Sequence, residues 1–474
     1  MSAHARSPSG FSSGTRGALG TLAVAAGTMA VAGIAGLALV RMGTVDNQLK
    51  LVLLGVASVG ILCAAVRPRF GFLLIVVMLP FQYHVKAAGV MIGTNELVLI
   101  GLALVLAPRI QWPAVPGWLV YGGAALILGS FASVVLAADP GSAAWGAVRW
   151  TAVILLAWAA FGVFGEEERG QQRFVDLLCG AAVLVVFFAI LQRVGIYAVA
   201  GEPYYVELPD STFGYYTVYA GFIALAATLA VGELLTAIPR GKPGRVTLYG
   251  FVIAVCVAGI GVSLSRGGLL ALAAGLISLT VLQLLRGSVA IKLAVVLVAT
   301  AGIGIAATPR NARDQFQARF KDQRQGQQQD DRIRFAYQKA GRTALAHSPL
   351  GIGYGNFSDY VGRNAVNAQT KDQAFHSHNT FVQVGVEAGW VGLVGFLALI
   401  GVPLWRALRL SAKRMLSPRT AAFAAALIGI LAQGLFDYLF HEIAILAFFV
   451  AVVWGLTRLL ERDVANGQVA TTTP

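Results

Sequence analysis

The chain has 474 residues, 57% of them hydrophobic and only 12% charged. That is far more apolar sequence than a soluble core can bury, so the composition excludes a soluble globular protein and points to an integral membrane protein. The apolar runs are continuous rather than alternating, which excludes a β-barrel. The formal charge of +14 is scattered over loops without an aromatic-interleaved basic platform, which speaks against a nucleic-acid partner.

In chain order, residues 1–16 are Ser- and Gly-rich and read as a polar cytoplasmic tail, too poor in apolar residues to fold alone. The run 17–40 is too long for the apolar part of a cleaved signal peptide and reads as the first membrane helix. Further spans are expected at about 48–66, 70–85, 95–107, 117–137, 142–164, 174–197, 213–236, 246–265, 267–285, 290–307, 380–405, 420–436 and 443–460. The short runs 70–85 and 95–107 could form one re-entrant or broken pair, which lowers the count from about fourteen to about twelve. The expected fold is all-α: a polytopic membrane protein with about 12–14 transmembrane helices and one large external loop containing short helices. Its expected parts are the tail 1–16, a helical domain 17–307, the loop 308–378, C-terminal membrane helices 379–460 and a cytoplasmic tail 461–474. Cys63, Cys179 and Cys256 lie inside apolar runs and read as packing residues, not as disulfides or metal ligands.

Basic clusters set the orientation. Arg67 and Arg69, then Arg240, Lys242 and Arg245, then Arg286 and Lys292, then Arg406, Arg409, Lys413, Arg414 and Arg419 fall in alternate loops. Those loops are expected in the cytoplasm, with both termini, which puts 308–378 outside. The short connections ADPGS and DYLFHE on that outer side carry no Lys or Arg. The outer loop is expected to be helical in two pieces, with Phe316, Phe320, Phe335, Ala336 and Ala340 as an apolar stripe against the membrane body. GIGYGNF at 351–357 follows as a sharp turn, without the Lys-Ser/Thr ending of a phosphate loop.

Three arginines stand in or at the ends of apolar runs: Arg149, Arg193 and Arg266. A guanidinium at membrane depth costs a few kcal/mol and usually has a partner. Snorkelling to a helix end is the plain alternative, but Arg193 and Arg266 fall on the outer side, which the positive-inside bias disfavours. Arginine forks match phosphate oxygens. After the polar loop comes HSHNTFVQVGVEAGWVG, residues 376–392, where His376 and His378 stand at the junction of water and membrane. An imidazole there can take or give a proton near neutral pH, although a juxtamembrane His is more often a plain surface residue.

The pattern around His378 is more specific. His378 and Asn379 are followed by nine residues, then Gly389 and Gly392, a spacing that resembles the signature of the O-antigen ligase and O-antigen polymerase superfamily of bacterial membrane glycosyltransferases. Arg266 followed by Gly-Gly-Leu-Leu looks like that family's arginine between two helices, and Arg193 ahead of STFGYYTVYAGF resembles its arginine before a Gly-Thr-Phe-Gly segment. Tyr215 and Tyr216 depart from the family pattern there. RIRFAYQKAGRTALAHSPLGIGYGNF is similar to its pre-catalytic stretch, and Asp437 to a late acidic residue, though an acid at a helix end also reads as a solvated loop residue.

The resemblance implies a helical fold with a large loop capping a lipid-lined cavity, and transfer of a glycan from an undecaprenyl diphosphate carrier to a glycan or lipid A-core acceptor. It implies His378 as the catalytic base, with His376 as the competing base. Arg193 and Arg266 would clamp the diphosphate, Asn379 would fix the ring, and Arg332, Arg334 and Arg342 would hold a second phosphate or an anionic acceptor. No cofactor and no metal is expected, since no Asp, Glu or His cluster shows metal-ligand spacing in the sequence. Ligase and polymerase both stay open. A transporter is the rival from another class, but no internal repeat of two related halves is visible.

Overall fold

The computed structural model describes residues 61–69, 71–72, 76, 80, 84–87, 90–164, 168–194, 211–284, 324–363 and 375–472. The spans expected at 17–40 and 290–307, most of 48–66, and Phe316 and Phe320 lie outside the described residues. A short antiparallel hairpin, β1 (His84–Ala87) and β2 (Val90–Gly93), pairs His84 with Gly93 and Ala87 with Val90. It takes in 84–85, the end of the span expected at 70–85, most of which lies outside the described residues, and leads into α1 (Thr94–Leu106). At about 1.5 Å per residue α1 is too short to cross a bilayer alone.

The body follows as α2 (Gly117–Ser133), α3 (Pro140–Phe164), α4 (Glu168–Arg193), α5 (Tyr216–Ala237), α6 (Pro243–Ser263) and α7 (Arg266–Gln283). Outside it lie α8 (Arg324–His347) and α9 (Phe357–Arg363), and the chain closes with α10 (Thr380–Ala412), α11 (Pro418–Gly434) and α12 (Ile443–Thr472). Among the described residues, eight helices are long and apolar enough to cross a membrane. The protein is therefore an all-α polytopic membrane protein. α12 runs on to Thr472, past the end expected near 460, because TRLLERDVANGQ is rich in helix formers and a helix need not stop at the bilayer edge.

Small residues decide how the helices approach, since lipid gives no hydrophobic drive for helix to meet helix. α5 is the centre, its most apolar window wholly buried. Gly268 of α7 faces Ala220, Gly275 faces Thr228, and Gly232 of α5 faces Ala422 of α11. α2 lies along α10 in the same way: a Cβ on Gly129 would come within 2.8 Å of the Gly392 Cα, and one on Gly395 within 2.5 Å of the Gly122 carbonyl.

Polar contacts sort the connections into two ends. At one end Arg69 Nε donates to Val163 O at 2.9 Å, Arg458 Nη2 donates to Phe161 O at 2.9 Å, and buried Arg419 pairs with buried Glu233. At the other end, Asp139 N donates to Asn356 Oδ1 at 2.5 Å and Thr380 Oγ1 donates to Asp437 O at 3.1 Å. The clusters at Arg67 and Arg69 and at Arg406 to Arg419 thus share one end, as their alternation along the chain requires. Arg149 also belongs to a brace: its Nε lies 2.8 Å from Glu96 Oε1, its Nη2 donates to His441 O at 2.5 Å, and its guanidinium covers the Tyr354 ring at 4.7 Å.

The outer segment docks into a break in α10. Gly389 has φ 67° and ψ −173°, a region open essentially to glycine, and it parts Val386 O from Trp390 N, which a continuous helix would pair. Residues 349–352 take up both groups: Ile352 N donates to Val386 O at 2.7 Å and Trp390 N donates to Pro349 O at 2.9 Å. A Cβ on Gly389 would lie 2.5 Å from Pro349 O. Gly389→Ala is therefore expected to lower stability by about 1–3 kcal/mol from backbone strain alone, and thermal unfolding in detergent measures it. A midpoint equal to that of the parent chain would show that this contact is dispensable.

Of the expected apolar stripe, Ala340 is buried against the body and Phe335 is not. The buried side of α8 carries Tyr337, Ala340, Ala344 and Leu345, which pack on Ile352, Phe357, Val361 and Val386. Phe335 is 60% exposed. At about 100° per residue it points nearly away from Tyr337.

Candidate active site

His378 stands two residues before α10, next to its cap Asn379, at φ 52°. Left-handed backbone is uncommon for a side chain other than Gly, Asn or Asp. Four hydrogen bonds hold this segment in place. Asn379 caps α10, its Oδ1 accepting from Val382 N at 3.0 Å while its Nδ2 donates to Leu435 O at 3.0 Å. Gln338 of α8 donates to His378 O at 3.1 Å, and Ser377 N donates to Gln383 Oε1 at 2.8 Å.

The imidazole of His378 lies in a row of five rings drawn from four parts of the chain. Tyr337 is nearly parallel to it at 5.9 Å; His376 meets its other side at 4.3 Å; His441 stacks on His376 at 5.6 Å; Tyr215 meets His441 at 5.8 Å. Three of the six histidines of the chain meet here. Nδ1 of His378 is buried, lies 3.6 Å from Asp437 Oδ1 and has no hydrogen-bond partner. Asp437 Oδ1 also accepts from Tyr438 N at 2.9 Å, which orients the carboxyl group.

Electrostatics separate the two candidate bases. Burial pushes the His376 imidazole down to about 3, the neighbouring His378 ring adds to this, and Asp437 opposes it. His376 is therefore neutral at pH 7, and since its Nδ1 accepts from His378 N at 3.3 Å its proton sits on Nε2. Burial alone would raise the Asp437 carboxyl, yet the contact from His378 and the nearby imidazoles of His376 and His441 outweigh it and hold the group well below the usual carboxylate range. Asp437 is thus ionised beside His378, and can hold that ring with its proton on Nδ1 and its Nε2 lone pair free to accept another.

The ligand atoms of His376, His378 and Asp437 lie within 4.8 Å of one another. Two imidazoles and a carboxylate are a donor set that suits a transition-metal ion. The sequence reading saw no such cluster, because Asp437 joins the histidines only through the fold, so that ground for expecting no metal falls.

The remaining expected site residues sort by position. Arg266 is the first residue of α7, joined to α6 only through Leu264 in left-handed conformation and Ser265, whose side chain accepts from Gly268 N at 3.1 Å. A cation at a helix N-terminus adds to the dipole instead of offsetting it, so this corner is electropositive. It faces α11: a Cβ on Gly267 would touch Gln433, whose carbonyl accepts from Asp437 N at 3.1 Å. Arg193 ends α4 next to Gln192, which accepts from Ser211 N at 2.7 Å, and the turn that follows leads to Tyr215 beside His441. Both arginines are therefore at the same end of the bundle as His378. Arg334 is close enough to depress the His376 imidazole, while Arg332 and Arg342 lie on the exposed side of α8.

Glu387, Tyr438 and His441 escaped the sequence reading. Tyr438 Oη donates to Glu387 Oε2 at 2.6 Å and His441 Nδ1 donates to Tyr438 O at 2.6 Å. A signal existed for each: Glu387 is an acid inside an apolar run, as costly there as the arginines that were noticed, and the other two lie in the polar connection DYLFHE.

Residues 250–397 match the family model described as O-Antigen ligase, a stretch that takes in most of α6, all of α7, α8 and α9, and α10 through its break as far as Leu397. No curated protein matches the chain. The matched segment holds both Arg266 and the histidine loop, and this part of the chain is similar to the O-antigen ligase family.

Proposed function

We propose that this protein transfers a glycan from an undecaprenyl diphosphate carrier to an acceptor sugar hydroxyl at the outer face of the inner membrane, as an O-antigen ligase does. The observation that carries this reading is the His378–Asp437 pair, 3.6 Å apart, at the end of the bundle where Arg266 opens one helix and Arg193 closes another. His378 Nε2 takes the proton of the acceptor hydroxyl as its oxygen forms a bond to the anomeric carbon. The bond from that carbon to the diphosphate oxygen breaks, the carbon inverts, and the electron pair leaves on undecaprenyl diphosphate. Asp437 holds the His378 tautomer and steadies the imidazolium. Arg193 and Arg266 offset the charge that grows on the leaving diphosphate, with Arg334 and Arg342 available to an anionic acceptor and Asn379 fixing the start of α10. The basic-loop end then faces the cytoplasm, with both termini.

Release of undecaprenyl diphosphate from a carrier-linked glycan, by purified protein in vesicles, tests this whatever the acceptor is. A product on lipid A-core identifies a ligase, and a longer glycan on the carrier identifies a polymerase. Movement of the intact lipid across the bilayer without release is the transporter result and refutes transfer. Two arginines in place of a cation predict that excess EDTA leaves the rate unchanged. A rate lost to EDTA and restored by zinc would make His376, His378 and Asp437 a metal centre instead.

A further inference from the structure

The pair His378 and Asp437 comes from two segments that share no secondary structure, and its spacing must be held by something. Both segments lead to one buried side chain. Glu387, 4% exposed, lies two turns into α10, just before the break at Gly389. Its Oε1 accepts from Gln383 Nε2 at 2.9 Å, and Gln383 Oε1 in turn accepts from Ser377 N, between the two histidines, at 2.8 Å. Its Oε2 accepts from Tyr438 Oη at 2.6 Å, and Tyr438 N donates to Asp437 Oδ1 at 2.9 Å.

We propose that Glu387 is a positioning residue whose two carboxylate oxygens fasten the His376–His378 segment and the Asp437–Tyr438 segment to one point, and so set the spacing of the His378–Asp437 pair. The inference rests on the transfer reading above. The chemistry fits the task. A carboxylate accepts at both oxygens in diverging directions, and in a buried site each of these bonds is costly to lose. An aliphatic side chain of the same size would take away the acceptor of Gln383 Nε2 and of Tyr438 Oη. Arg149 secures the far side of the same segment through His441 O, so 437–441 is held at both ends. Glu387 itself touches no reacting atom, and its influence passes through the distance between ring and carboxylate.

The test uses variants of the full chain in vesicles, with carrier-linked glycan as donor and released undecaprenyl diphosphate as readout. Tyr438→Phe removes one hydroxyl and one arm of the brace without changing the packing volume; it is expected to lower kcat about 10-fold while donor KM stays within about twofold, since misplacement of about 1 Å can cost up to about 10²-fold. Glu387→Ala is expected to lower kcat about 10²-fold. Glu387→Gln can still accept from Gln383 and donate to the Tyr438 oxygen, and is expected to recover activity to within about fivefold of the parent. In an Asp437→Asn background, Tyr438→Phe should add little, because both act on the same pair. A parental kcat in Tyr438→Phe, or Glu387→Gln as inactive as Glu387→Ala, overturns the brace while His378→Ala remains inactive. Activity in His378→Ala removes the His378–Asp437 pair from the transfer reading, and the brace with it.

Discussion

His378→Ala is expected to lower the rate of undecaprenyl diphosphate release by about 10²–10⁴-fold, the usual worth of a positioned general base. His376→Ala is expected to be milder, about 10-fold, through misplacement of the neighbouring ring rather than loss of the proton acceptor. The difference follows from their environments. His376 is buried, depressed to about 3 and committed at Nδ1 to the His378 backbone, so a proton gained there is unfavourable. His378 has an ionised carboxylate 3.6 Å from Nδ1, which stabilises the imidazolium that a base becomes. Initial rates at saturating donor, compared at equal expression and equal thermal midpoint, read the effect. Near-normal release by His378→Ala together with loss in His376→Ala would move the base to the other ring.

Arg266→Ala is expected to abolish transfer, by about 10²–10³-fold if it removes one main source of stabilisation for the departing diphosphate. Arg266→Lys should recover only part, because an ammonium keeps the charge and lacks the fork. The helix amides that follow Arg266 remain in both variants, so residual donor binding is expected even in the alanine form. Donor KM and kcat should both worsen, in contrast to the kcat-only effect expected at Tyr438. An alanine variant with full activity would remove the clamp from the mechanism and leave the helix N-terminus to act alone.

How legible the site was depends on how local each feature is. The glycines at 389 and 392 and the arginine between two helices at 266 are short-range patterns that the sequence alone displays, whereas the cap that Asn379 makes on α10 was not among the expectations. Close packing is the role a small residue suggests at both glycines, and it holds at Gly392 but does not describe Gly389. Gly389 makes a break that receives residues 349–352, and Gly392 lets α2 approach, two unlike tasks behind one spacing. In α8 the expected stripe holds at Ala340 and fails at Phe335, because tertiary contact buries the face that carries Tyr337, Ala344 and Leu345. Arg149 was read beside Arg193 and Arg266 as one of three costly charges, but its carboxylate, Glu96, stands far off in the chain and makes it part of a brace.

Composition and hydropathy by themselves determined the class, the apolar helices of the described body and the alternation of basic loops. Each depends only on the free energy of moving a contiguous segment out of water, which is a property of that segment alone. The tertiary structure alone decided which titratable groups face one another: the row of rings, the carboxylate beside His378, and the single buried acid to which both their segments are tied. Proton chemistry depends on separations of a few ångström and on exclusion of water, and neither quantity exists until segments distant in sequence are packed together.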